Sequence, residues 1–122
     1  MRWIEALVEC SDTTGAATAR FMARHFAVAD GAVLETALVE CAAQTMAAAL
    51  GQRARAGGKA TPGFSGMLAG GSNFSIATVP PLDQELRIEI RELRRLGMMT
   101  KISATISCAG QVIASGELTL YA

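Results

Sequence analysis

Residues 32–50, AVLETALVECAAQTMAAAL, decide how this chain is read. Almost every residue in the stretch is a good helix former, and Gly51 follows where a C-terminal cap belongs, so the composition predicts a helix over 32–50. That helix is apolar on most of its circumference and must be covered on more than one side. Glu35 and Glu40 are its only charged residues. They stand five apart, so they share no single face and mark no solvated stripe between them. The plain reading puts Glu40 on the solvent side of the helix. The sharper reading buries it, which requires either protonation or a hydrogen-bond partner. Gln44, one turn further on, is placed to be that partner.

A membrane span is a poor reading of the same stretch. Glu35, Glu40 and Gln44 interrupt it, and an acid near the bilayer centre costs about 2.5 kcal/mol or more. The first residues, MRWIEALVECSD, carry no apolar core of the kind a signal peptide needs. The formal net charge is zero and 51% of the residues are hydrophobic. Those values describe one packed domain over 1–122 rather than a disordered chain, and they argue against nucleic acid as the main partner. Cys10, Cys41 and Cys108 are odd in number and far apart, with no metal-ligand spacing. Free thiols in a reducing cytoplasm are the simplest account, and neither a metal nor an organic cofactor is expected.

On the N-terminal side, Trp3–Glu9 and Ala16–Met22 flank the turn chemistry of Ser11-Asp12-Thr13-Thr14-Gly15 and predict a hairpin. Asp30-Gly31 then breaks the chain before the helix. On the C-terminal side, GQRARAGGKATPG (51–63) reads as a loop. Strand-type segments follow at Phe64–Val79, Glu85–Leu96, Met98–Cys108 and Gln111–Tyr121. Leu86, Ile88 and Ile90 alternate with Arg87, Glu89 and Arg91, as Ile102, Ala104 and Ile106 do with their polar neighbours. Ala109-Gly110 predicts a tight turn between the last two strands, and Gly70-Gly71 a bulge or bend in the first.

One long apolar helix followed by an antiparallel meander has a specific packing solution: the sheet curls around the helix, an α+β hot-dog domain. A single such sheet leaves an edge strand and part of the helix under-covered, so a dimer is the expected unit.

His25-Phe26, Asp30-Gly31, Leu34, Glu40 and Ala43-Gln44 together resemble the signature of hot-dog β-hydroxyacyl-ACP dehydratases. The Asp-Gly, the spacing to the Glu and the Ala-rich end are more similar to the dehydratase-like proteins of aryl-polyene and related clusters. Val79-Pro80-Pro81-Leu82-Asp83-Gln84-Glu85-Leu86 resembles the family's turn between strands, and Gly116-Glu117-Leu118 its closing strand. The chain departs from the fatty-acid enzymes in two places. It lacks their Pro-rich loop between histidine and helix, and it lacks their segment before the first hairpin, which a partner subunit is then expected to replace.

The resemblance implies a dehydration of a 3-hydroxyacyl thioester, carried by acyl carrier protein or CoA. His25, the only histidine, is then the base for the α-proton, and Glu40, kept protonated by burial, the acid for the departing hydroxyl. Gly31, Ala32 and Val33 at the helix start would offer backbone amides to the enolate-like oxygen, with Gln44 beside Glu40. Across a homodimer or heterodimer, His25 of one subunit would face Glu40 of the other. Met46, Met67, Leu68 and Phe74 are candidates for an acyl tunnel, and Arg53, Arg55 and Lys59 or Arg91, Arg94 and Arg95 for a basic entrance. Two rivals remain: a hot-dog thioesterase, which needs the carboxylate and water but no histidine, and a non-catalytic subunit that supports an active partner.

Overall fold

Alternating side chains along the last third of the chain build the sheet. In a computed structural model, which describes residues 4–22, 28–29, 32–33, 35–56, 67–68, 73–78 and 80–121, the elements run in this order. They are β1 (Ile4–Cys10), β2 (Thr14–Ala19), β3 (Val28–Ala29), β4 (Ala32–Val33), α1 (Glu35–Ala56), β5 (Met67–Leu68), β6 (Asn73–Ile76), β7 (Leu86–Leu96), β8 (Met99–Cys108) and β9 (Gln111–Tyr121). Seven of the strands form one antiparallel sheet in the order β1-β2-β7-β8-β9, with β5 and β6 both pairing along the outer edge of β9. β3 and β4 make a separate short pair just ahead of the helix.

The three long strands answer to their sequence within a residue or so. Leu86, Ile88 and Ile90 on β7 and Ile102, Ala104 and Ile106 on β8 are all buried, while Glu89 and Arg91 point outward. Ala109 and Gly110 both adopt left-handed backbone, with φ 51° and 81°, as a two-residue turn that matches strand twist requires. Gly97, at φ 60°, turns the chain between β7 and β8. Gly116 answers a different need. A Cβ there would stand 2.2 Å from the Asn73 carbonyl oxygen and 2.6 Å from the Phe74 Cα, so only glycine lets β6 lie this close to β9. The predicted strand over 64–79 is observed as β5 and β6, and the Gly70-Gly71 bend lies outside the described residues.

α1 packs on β1, β2, β7 and β9. Ala37, Leu38, Cys41, Ala42, Thr45, Met46 and Ala49 are buried beneath it, sharing one core with the strand residues. Small residues allow the close approach: Gly15 of β2 lies directly against Ala49. The polar exception, Thr45, turns its hydroxyl back to the Cys41 carbonyl at 2.8 Å and so is satisfied within its own helix. This is the hot-dog arrangement, a central helix on an antiparallel sheet.

The helix ends differ from the 32–50 expected. It begins at Glu35, because Ala32 and Val33 are paired with Ala29 and Val28 in a ladder. It also runs six residues past Leu50, so Gly51 is a buried helical residue rather than a cap, and 51–56 are helix rather than loop. A glycine inside a helix costs about 1 kcal/mol relative to alanine. Arg53 offsets that cost from beyond the helix. Its Nε donates to the Ser11 carbonyl at 2.6 Å and its Nη2 to the Thr14 carbonyl at 3.3 Å, fastening the last turns to the β1–β2 connection.

Candidate active site

Glu40 occupies the one polar break in the buried middle of α1. The residues around it, Leu38, Val39, Cys41, Ala42 and Ala43, are buried, whereas Glu40 is exposed and Gln44 and Ala47, one and two turns on, are half-buried. The carboxylate makes no ion pair or hydrogen bond among the described residues. Burial of Glu40 within a single chain is therefore corrected: the core claims the opposite side of the helix, and Glu40 lies along a strip that this chain leaves uncovered. Gln44 has another engagement, since its Oε1 accepts the Ile4 backbone N–H at 3.3 Å and ties the start of β1 to the helix.

Beneath this strip, the Cys41 thiol is held well above its ordinary value of 9.0, at about 12, chiefly because burial disfavours the thiolate and secondly because the neighbouring Glu40 charge repels it. Cys41 is thus an inert core thiol. Cys10 is exposed and Cys108 half-buried, and none of the three is in a disulfide.

The amides expected at the helix N-terminus have another setting. Those of Ala32 and Val33 belong to the β3–β4 ladder, the last regular structure before α1 begins at Glu35. His25 and Gly31 lie outside the described residues. Of the tunnel candidates, Met46 is fully buried in the core and Phe74 is partly buried against it; Met67 and Leu68 form β5 on the outer edge of β9. The turn that follows residue 79 is anchored from two sides. Pro80 is buried, and Asp83, at φ 57°, donates its N–H to the Phe21 carbonyl at 2.8 Å. The Arg20 guanidinium reaches both the Asp83 carbonyl oxygen, at 3.2 Å, and its carboxylate, at 3.6 Å. This clamp fixes the point from which the chain departs toward His25.

The basic candidates separate into two kinds. Arg53 is consumed by structure: besides the two carbonyls it meets Glu92 at 3.6 Å, and its side chain is only 20% exposed. Arg91 and Arg94 are exposed and make no ion pair among the described residues, while Arg95 is held by Glu92 through Nε to Oε1 at 3.0 Å and Nη2 to Oε2 at 3.2 Å. Lys59 lies outside the described residues. The Arg53–Glu92–Arg95 group is absent from the sequence reading. Its signal was available, because Glu92 falls on the inward parity of β7 after Leu86, Ile88 and Ile90, where another aliphatic residue would continue the pattern.

No group of three or more His, Cys, Asp and Glu side chains capable of holding a metal occurs among the described residues. No helix among them is long and apolar enough to cross a membrane.

The family profile for ApeP-like proteins, described as ApeP dehydratase, matches residues 1–122. The chain belongs to the ApeP-like dehydratase family. An ApeP-like dehydratase is what the resemblance of the His25-to-Gln44 stretch implied, and the family match makes the carboxylate on the central helix a dehydratase feature. Solved structures agree on the fold. The dehydratase heterocomplex ApeI:P from Xenorhabdus doucetiae superposes with a TM-score of 0.86 at 21% identity, over 98% of this chain and 82% of that one. A hypothetical thioesterase with coenzyme A from Streptococcus pneumoniae gives 0.71 at 13% identity, over 95% and 86%. Cj0977, a virulence protein of Campylobacter jejuni, gives 0.71 at 11% identity, over 96% and 82%. No curated protein sequence matches this ApeP-like dehydratase.

Proposed function

We propose that this dehydratase, as one hot-dog domain over 1–122, removes water from a 3-hydroxyacyl thioester borne by an acyl carrier protein, giving the trans-2-enoyl thioester in polyene-type biosynthesis. The observation that carries the reading is Glu40: an unpartnered carboxylate exposed on the uncovered strip of an otherwise buried helix. His25 takes the α-proton, the C–O bond to the β-hydroxyl breaks, and Glu40 gives its proton to the departing oxygen, so that water leaves. Amides near Gly31, Ala32 and Val33 receive the charge that develops on the thioester oxygen.

A second hot-dog subunit covers the helix strip in this reading, excludes water from Glu40 and brings its own side chains to the site. The heteromeric state of the ApeI:P structure supports a different hot-dog chain in that place, and a second copy of this chain is the other option. Exposed Arg91 and Arg94, with Arg95 and the apolar Leu96 and Met98 of the same hairpin, suit an acidic carrier protein with an apolar contact surface. Three free thiols are consistent with a reducing cytoplasm.

The test offers purified protein, alone and with a hot-dog partner, both 3-hydroxyacyl and saturated acyl thioesters. A 2-enoyl product that disappears in His25→Ala and Glu40→Gln supports the assignment. Free thiol from the saturated substrate would instead favour hydrolysis, and turnover unaffected by both substitutions within an active complex would favour a supporting subunit.

A further inference from the structure

Glu92 stands where the sheet needs an aliphatic residue, and what it holds there is unusual. Its side chain is 16% exposed and lies between two guanidinium groups, Arg53 at 3.6 Å and Arg95 at 3.0 Å. Its own backbone N–H is donated to the Thr13 carbonyl at 2.7 Å. A register shift between Glu92 and Arg94 then breaks the ladder to β8 and re-aims the strand end. Arg53 is immobilised in turn by the Ser11 and Thr14 carbonyls. Glu92 is therefore gripped from the helix, from the β1–β2 turn and from its own strand.

The consequence falls on Arg95. Its guanidinium is held edge-on by both Glu92 oxygens, yet its side chain is 48% exposed. Two of its five N–H donors are used on Glu92 and the outward edge is left for a ligand. An arginine already fixed in orientation loses less side-chain freedom on meeting an anion than one that is loose. Arg91 and Arg94, on the same strand, have no such support among the described residues. Arg94 is directly opposite Lys101, a like charge, across the β7–β8 ladder.

We propose that Glu92 is a positioning residue, which holds Arg95 in the orientation that receives a carboxylate of the acidic carrier protein, while Arg91 and Arg94 supply long-range attraction. The proposal rests on the carrier-docking reading above and adds to it which arginine is built for contact and what builds it. It also makes a prediction of distinctive sign. Glu92 is itself negative, so if charge alone mattered, its removal from a basic patch would strengthen attraction to an acidic partner. If Glu92 acts by holding Arg95, its removal weakens docking.

The experiment measures kcat and KM of the active complex with carrier-linked substrate and with a short soluble pantetheine thioester, for wild type, Glu92→Gln, Arg95→Ala and the double variant. The expected result is a KM for carrier-linked substrate raised about fivefold by Glu92→Gln and by Arg95→Ala. The double variant should be no worse than Arg95→Ala, and kcat and the soluble substrate should be unaffected. A nitrogen-15 spectrum reports the holding directly: the Arg95 Nε–H signal should be sharp and protected in the wild type and lost to exchange in Glu92→Gln. A lowered or unchanged carrier KM in Glu92→Gln, with Arg95→Ala still impaired, overturns the positioning role and leaves carrier docking standing. No effect of Arg95→Ala, Arg91→Ala or Arg94→Ala on the carrier KM overturns both. Should Glu92→Gln prove unstable, Glu92→Asp, which keeps the charge but shortens the reach, is expected to give a smaller rise of the same sign.

Discussion

Two carboxylates of this chain, Glu40 on the helix and Glu92 on β7, break apolar patterns in the same way and have opposite surroundings. Glu92 is enclosed between Arg53 and Arg95, with its strand held to the β1–β2 turn. Glu40 is exposed on the helix, with buried alanine, valine and cysteine on either side and no partner among the described residues. An acid that is saturated by fixed cations serves geometry, because its charge is already spent. An acid left unsatisfied on the face that a second subunit must cover is the one free to exchange a proton with a substrate.

The largest expected effect tests that contrast directly. Glu40→Gln should lower dehydration by about 10³-fold, the usual scale for loss of a general acid, and leave the thermal midpoint of the chain almost unchanged, since an exposed side chain is removed from no contact. A large fall in stability with activity retained would reverse the roles assigned to the two acids.

Gly116→Ala comes next and acts on the fold alone. With 2.2 Å to the Asn73 carbonyl, the new methyl must push β6 off β9, at about 3 kcal/mol in denaturant titration. Loss of less than 1 kcal/mol would mean that the sheet edge yields freely.

The Cys41 thiol provides a pH test close to Glu40. Its folded value of about 12 is raised above the ordinary 9.0, so below pH 9 both folded and unfolded thiols are neutral and this contribution to stability is fully present. Between 9 and 12 the unfolded chain releases the proton and the folded chain does not, and stability falls with rising pH. By pH 10.5 the loss should reach about 2 kcal/mol relative to Cys41→Ala, whose own curve lacks this component. Parallel curves for the two proteins would show that the thiol beneath Glu40 is not shielded from water.

Arg53→Ala should have the smallest effect, about 1.5 kcal/mol, from the carbonyls of Ser11 and Thr14 and the carboxylate of Glu92 left without their donor. It is expected to fray α1 back toward Leu50, which hydrogen exchange at 51–56 would reveal.

Legibility followed the range of the forces involved. The β7, β8 and β9 boundaries, the Ala109-Gly110 turn and the first hairpin were readable because alternation and turn chemistry are local properties. The helix ends were not, because both are set from elsewhere in the chain. The β3–β4 pairing claims Ala32 and Val33 before the helix can, and Arg53 carries the helix through Gly51 by bonds to residues about forty positions away. For the site, Glu40 was legible as an isolated acid in an apolar run. Its exposure was not, since which side of a nearly all-apolar helix faces the sheet depends on where the small residues of β2 let it approach.

The amino-acid sequence by itself determined the hot-dog class, the dehydratase resemblance and the carboxylate at position 40, because periodicity and residue identity carry those without any partner. Only the tertiary structure decided that Glu40 is left uncovered by its own chain, that the Ala32 and Val33 amides sit on a ladder, and that Glu92 binds two arginines. Each of these depends on groups brought together from distant parts of the chain, and no local pattern records such a meeting.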